Sequence, residues 1–181
     1  MTDFTVHTIE TAPEASRPFL NLFRIYSAAM AESPALVEGC KTPSEIFNKT
    51  DLSETERQII LMTNNRLNGC TYCMAAHSTG SKWFNVPDDV IGALRTNTTI
   101  ADPKLEALCT FAGIVNETRG WPTQEQVDTF LATGYTKQTV LEVVLGTSLK
   151  VMSNYTNHIS KPELDEAFSP NAWTPDMAKA A

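Results

Sequence analysis

A chain of 181 residues with 42% hydrophobic residues is long enough for one domain with its own core and too apolar to be disordered. Its 14 basic against 21 acidic residues leave a net charge of −7, which argues against nucleic acid and anionic lipid as partners, and no apolar run approaches the ~18 residues of a membrane span. Only 19% of the residues are charged, against about 25% in average soluble domains, so part of the surface is expected to be buried in a homo-oligomer.

Weak alternation over Phe4 to Ile9 is the one strand-like signal. The first twenty residues carry His7, Glu10, Pro13 and Glu14 where a signal peptide needs an apolar stretch, so a cytoplasmic location is expected. In that compartment four cysteines do not form a disulfide framework. Pro18 opens a first helix with Phe19, Leu22, Phe23, Tyr26 and Met30 on one face. Ser33-Pro34 caps a second, with a break expected near Thr42-Pro43. Ser53 to Glu56 is a capping box opening a third helix, which Asn68-Gly69 ends. A fourth begins near Cys70 and runs toward Trp83, with Trp83 and Phe84 packed at its end. Pro87, Asp102-Pro103, Thr123 and Thr136 start four more, the last carrying Val140, Val144, Leu149 and Met152. The class is all-α: one helical domain over residues 1–163 and an irregular arm over 164–181 whose Phe168 and Trp173 could wrap a neighbouring subunit.

The chemistry concentrates in Cys70-Thr71-Tyr72-Cys73 followed by His77. Residues three and four apart share a helical face, and alpha carbons ~5 Å apart lie within disulfide range. The helix start beside the sulfurs favours thiolate over thiol, and an imidazole one turn away can take a thiol proton. The competing readings are small core cysteines and zinc. Cys70, Cys73 and His77 supply three ligands where structural zinc usually has four, so no bound metal or cofactor is expected. His77 one turn from Cys73 favours Cys73 as the attacking sulfur, whereas the helix start favours Cys70. Cys109 reads as core. Asn154, Asn157 and His158 form a polar stripe that borders either the pocket or solvent.

The stretch LSETERQIILMTNNRLNGCTYCMAAHS, residues 52–78, resembles the core of the AhpD-like alkylhydroperoxidases of the carboxymuconolactone decarboxylase superfamily, with weaker echoes in MAESPALVEG and NYTNHISKPELDEAF. The resemblance implies an AhpD-like helical bundle assembled as a homo-trimer or hexamer. It also implies an antioxidant peroxidase whose redox-active disulfide, Cys70–Cys73, is recharged by an external dithiol such as a lipoyl-bearing protein. Its substrate would be an organic hydroperoxide or hydrogen peroxide. It implies His77 as relay histidine and a relay glutamate twelve residues before Cys70, where this chain has Gln58, which takes up no proton. Family members often carry a histidine between the cysteines, and here Tyr72 stands there. Glu56, two residues from Gln58, reads first as the third residue of the capping box and second as a replacement carboxylate. The other functions compatible with the sequence are a non-catalytic redox sensor or binding oligomer and a lactone decarboxylase-type enzyme, which generally lacks the cysteine pair.

Overall fold

The computed structural model describes residue 4, residues 7–20 and residues 29–179. Of the described residues, 70% are helical. After a 3-10 turn at Glu14–Ser16 come α1 (Arg17–Leu20), α2 (Pro34–Phe47), α3 (Glu54–Leu67), α4 (Thr71–Trp83), α5 (Asp88–Thr96), α6 (Pro103–Glu117), α7 (Gln124–Ala132) and α8 (Lys137–Ser160). Two further 3-10 turns, Glu166–Asn171 and Pro175–Ala178, complete the order.

The helix starts follow the local chemistry. Ser53 and Glu56 make both hydrogen bonds of a capping box, and Thr123 with Gln126 repeats it at α7. Asp102 accepts from the N–H groups of Lys104 and Leu105, with Pro103 at the first helical position. Gly69 stops α3 with a φ of +68°, a conformation that costs glycine nothing, and turns the chain directly into α4. Eight successive residues of α3, Gln58 to Asn65, are buried, so this helix is enclosed on every side. It packs against α4, α5, α6 and α8, around a core that includes Ile59, Ile60, Met62, Met74, Leu94, Leu108, Phe111 and Val143. Helix α8 lies close to α3 because residue 146 is glycine. A methyl group there would sit 2.6 Å from Ile60 Cγ2 and 3.0 Å from Phe47 Cζ.

Three expectations need correcting. Helix α2 runs unbroken through Pro43: the proline removes one backbone hydrogen bond, but Val37, Cys40 and Phe47 on either side are buried along one helix and hold it together. Among the described residues no strand forms; the Thr8 carbonyl instead accepts from the Ala12 N–H at 2.9 Å in a turn. Trp83 and Phe84 do not pack at the end of α4 but stand 64% and 61% exposed. Leu22, Phe23 and Tyr26, expected on the first helix face, lie outside the described residues. The C-terminal arm is engaged by its own chain. Trp173 is buried, with its indole N–H donating to the Arg95 carbonyl at 2.8 Å, and Arg95 in turn donates to the Asn171 and Ala172 carbonyls.

Candidate active site

Cys70 is the N-cap of α4 and Cys73 lies in its first turn, with the Met74 N–H donating to the Cys70 carbonyl at 3.0 Å. The two sulfurs are 3.2 Å apart and not bonded. Both residues are buried. The Cys70 thiol donates to the Cys73 sulfur, and this bond is the main reason the Cys73 thiol falls below its ordinary range, to about 6; burial opposes the fall. The Lys150 charge and the side-chain amides of Asn154 and Asn157 add to it, Asn157 Nδ2 lying 3.1 Å from Cys73 Sγ. The same geometry drives Cys70 the other way. As donor to Cys73, buried and facing its negative charge, its thiol is pushed far up. Cys73, with Lys150, Asn154 and Asn157 facing it, is thus the sulfur of the pair whose anion the surroundings favour.

A cavity of about 250 Å³ opens over Cys70, lined by Gly69, Thr71, Tyr72, Asn157, His158 and Lys161 among others. It reaches Cys70, while Cys73 sits one layer behind, next to Asn157. The Asn157 and His158 stripe does border the pocket.

His77 does not touch the sulfurs, contrary to the simple picture of an imidazole accepting a thiol proton. Its Nδ1–H donates to Gln58 Oε1 at 2.8 Å, which leaves the Nε2 lone pair to accept from Lys150 Nζ, also at 2.8 Å. Burial, then the Lys150 charge, hold its imidazole well below the usual range, so it is neutral at physiological pH. Lys150 is buried beside both groups, and its charge contributes to lowering Cys73 and His77 alike.

Gln58 occupies the relay position and joins two partners at once. Its carbonyl accepts from His77 while its amide donates to Glu54 Oε1 at 2.8 Å, and Glu54 also pairs with Arg57 at 2.9 Å. An amide serves both neighbours in this way, and an ionised carboxylate does not. Glu56 turns elsewhere: it caps Ser53 and accepts from the Tyr135 hydroxyl at 3.0 Å, and although burial raises its pKa these bonds hold it lowered. Its capping reading is the one the structure bears out. Tyr72 donates from its hydroxyl to Asp165 Oδ2 at 2.8 Å and meets Phe168 edge-on at 6.0 Å, tying the arm to the site helix, and it packs with Cys70 and Cys73 in one buried cluster.

The structure therefore brings Cys70, Cys73, His77 and Gln58 into one neighbourhood, leaves Glu56 out, and adds Lys150, Glu54 and the asparagines of α8. Lys150 carried a sequence signal. It falls on the same inward stripe as Val143, Gly146, Ser153, Asn154 and Asn157, where α8 changes from apolar to polar facing the cysteines. Among the described residues, no group of three or more His, Cys, Asp and Glu side chains is arranged to hold a metal ion, and no helix is long and apolar enough to cross a membrane.

Neither a family model nor a curated protein sequence matches the chain. Solved structures do. An alkylhydroperoxidase AhpD core, an uncharacterized peroxidase-related protein from Ralstonia eutropha JMP134, superposes with a TM-score of 0.78 at 16% identity, covering 93% of this chain and 96% of that one. An uncharacterized peroxidase-related protein from Silicibacter sp. TM1040 gives 0.75 at 13% identity over 92% and 95% of the two chains. The apo debrominase Bmp8 gives 0.76 at 18% identity over 98% of each. The chain has an AhpD-like fold, the one the resemblance of its Cys-x-x-Cys segment implies.

The Gln58 bridge yields a prediction that the sequence alone reads differently. By the resemblance, Gln58→Glu supplies the missing relay carboxylate and raises turnover. In the structure it places two carboxyl groups 2.8 Å apart. One of them must then keep a proton, which raises its folded pKa above the unfolded value of ~4.3. The variant should match the parent in melting temperature near about pH 4 and fall progressively below it as the pH rises through that raised pKa, by ~1–3 kcal/mol at about pH 8. The exchange Glu54→Gln with Gln58→Glu restores the donor–acceptor pairing with a carboxylate on His77. It should recover the stability, and it is the variant in which turnover rises. Thermal melts across pH, with turnover measured in parallel, check both.

Proposed function

We propose that the protein is a thiol-dependent peroxidase or disulfide reductase that cycles Cys70 and Cys73 between dithiol and disulfide, in a cytoplasmic antioxidant role. The observation that carries this reading is the unbonded sulfur pair at 3.2 Å at the start of α4, beside Asn157 at 3.1 Å from Cys73 Sγ. The peroxidase-related names of two structural neighbours support it. The Cys73 thiolate attacks the distal oxygen of an organic hydroperoxide or hydrogen peroxide. The O–O bond breaks, Cys73 becomes the sulfenic acid, and the departing oxygen takes a proton to leave as alcohol or water. Cys70 then attacks the sulfenic sulfur and the second oxygen leaves as water. Over the two steps the dithiol is oxidised, the peroxide is reduced, and one proton is taken up from solvent.

Resetting the pair requires an external dithiol, for which a lipoyl group is the proposed source. Both cysteines are buried, but Cys70 belongs to the cavity lining, so the incoming thiolate attacks the Cys70 sulfur and Cys73 departs. The low pKa of Cys73 makes it the better leaving group. The two halves of the cycle thus fall on different sulfurs: Cys73 receives the oxygen and Cys70 receives the reductant.

Hydroperoxide consumption with dihydrolipoyl compounds tests the reading, with peptide mapping of the oxidised chain. Turnover with a Cys70–Cys73 disulfide is expected. A link from either cysteine to Cys40 or Cys109 overturns the mechanism. Reversible disulfide formation without turnover would make the protein a redox-sensing oligomer instead.

The oligomer belongs to the same proposal. Helix α8 presents Leu141, Val144, Tyr155 and Ile159 to the outside, between 49% and 70% exposed, at helical spacing along one face. A second copy of the chain is the proposed cover, in a trimer or hexamer. Sedimentation at micromolar concentration should show an assembly, and a 19.9 kDa monomer would refute it.

A further inference from the structure

Three helices contribute asparagines to a connected network behind Cys73. Asn64, Asn65 and Asn154 are fully buried, while Asn68 and Asn116 are half-buried. An asparagine amide has two ends of nearly equal size, so its direction is set by its neighbours. Here the direction is fixed from both ends of the network by backbone carbonyls. Asn64 Nδ2 donates to the Ile60 carbonyl at 2.8 Å, so its Oδ1 is the end that accepts from Asn116 Nδ2 at 2.7 Å. Asn116 Nδ2 donates also to Asn68 Oδ1 at 3.1 Å, and Asn68 Nδ2 donates to Asn154 Oδ1 at 2.9 Å. From the other end, Asn65 Nδ2 donates to the Cys73 carbonyl at 3.3 Å, so Asn65 Oδ1 accepts from Asn154 Nδ2 at 2.9 Å. Both ends give Asn154 the same orientation. Reversing it would set oxygen against oxygen at Asn65 and nitrogen against nitrogen at Asn68, and would turn the amide oxygen toward the Cys73 sulfur.

We propose that Asn116 and Asn68 are positioning residues that lock the side-chain amide of Asn154 with its NH2 group toward Cys73, so that a residue on α6 with no contact to either sulfur sets the reactivity of the attacking thiolate. This deepens the proposed function and rests on Cys73 being the nucleophile, though not on peroxide being its substrate. Asn154 donates one N–H to Asn65 and is among the groups whose hydrogen bonds favour the Cys73 anion. Solvent cannot replace a misdirected amide here, because Asn154 and Asn65 are out of its reach. The other groups facing Cys73 are Cys70 on its own helix, Lys150 and Asn157 on α8, and Cys40 on α2. None of them is altered in the variants below.

The test is the pH dependence of Cys73 alkylation by iodoacetamide in the reduced full-length chain, resolved by peptide mass spectrometry. Asn154→Ala should raise the midpoint by about one to two pH units, the amount a hydrogen bond to a charged group represents. Asn116→Ala should raise it by roughly half a unit to one unit, because Asn68 loses the donor that directs it toward Asn154, while Asn154 remains and Asn65 holds it from one end only. Asn116→Gln, which keeps an amide donor, should recover most of that shift. Val115→Ala, a buried neighbour on α6, should lower the melting temperature and leave the midpoint in place. Asn68→Ala, which removes the donor to Asn154 Oδ1, should give a shift like that of Asn116→Ala and keeps the test open should Asn154→Ala fail to fold. An unchanged midpoint in Asn116→Ala, or an equal shift in Val115→Ala, overturns the proposal. Normal shifts in a protein that consumes no peroxide would overturn the proposed function and leave this inference standing.

Discussion

Cys73→Ser is expected to lose peroxide consumption by ~10³-fold or more, whereas Cys70→Ser is expected to consume one equivalent and stop. The asymmetry follows from where the proton sits. Only a thiolate attacks the O–O bond at a useful rate, and Cys73 is the sulfur whose anion is favoured. A hydroxyl at 73 offers no such anion, and Cys70, with its thiol pushed far up, cannot take its place at neutral pH. In Cys70→Ser the partner is still an O–H that donates to Cys73, so activation survives, but no sulfur is left to close the disulfide. The sulfenic acid should then persist at Cys73 long enough for dimedone to trap it, with the adduct located by mass spectrometry. Dimedone on Cys70 in Cys73→Ser, with full single-equivalent consumption, would exchange the two roles.

The second large effect is expected for Lys150→Met, which keeps the length of the side chain and removes its charge. Peroxide consumption at neutral pH should fall by ~10- to 100-fold and the Cys73 alkylation midpoint should rise by about one to two pH units, because a buried anion loses its cation. His77 changes as well. With Lys150 present its folded pKa is depressed, so the protein loses stability as the pH falls below the unfolded value of ~6.5. Removing Lys150 takes away one of the two causes of that depression, so the acid loss of melting temperature should be smaller in the variant. At neutral pH the variant leaves His77 Nε2 without its donor, at a cost of ~1–3 kcal/mol. Melts from about pH 5 to 8, together with alkylation rates, separate the two effects.

The sequence carries the local chemistry of this fold well and its long-range pairings poorly. The capping boxes at Ser53 and Thr123, the glycine turn at Gly69 and the prolines at Pro34, Pro87 and Pro103 are decided within four or five residues, and each lies where the pattern puts it. The Cys70–Cys73 pair is legible for the same reason. Pro43 misleads because the packing of α2 outweighs one missing hydrogen bond. Lys150 is harder to see: it lies 73 residues from His77, and a lysine on a helix ordinarily reads as solvated. Glu54 is hidden for a different reason. It belongs to a first turn rich in acids whose evident use is to complement the helix dipole, and only the geometry shows Gln58 reaching back to it.

The close approach of α8 to α3 at Gly146 gives the chain a spacer of zero thickness. Lys150 follows one helical turn later, and Asn154 and Asn157 one and two turns beyond that, all on the same rigid rod. Whatever separates the two helices at residue 146 therefore displaces the donors that face the sulfurs. A methyl group at residue 146 would meet Ile60 and Phe47, in a part of the core that has no chemistry of its own. Gly146→Ala is therefore expected to shift the Cys73 alkylation midpoint as well as to lower the melting temperature, since the same displacement moves Lys150, Asn154 and Asn157.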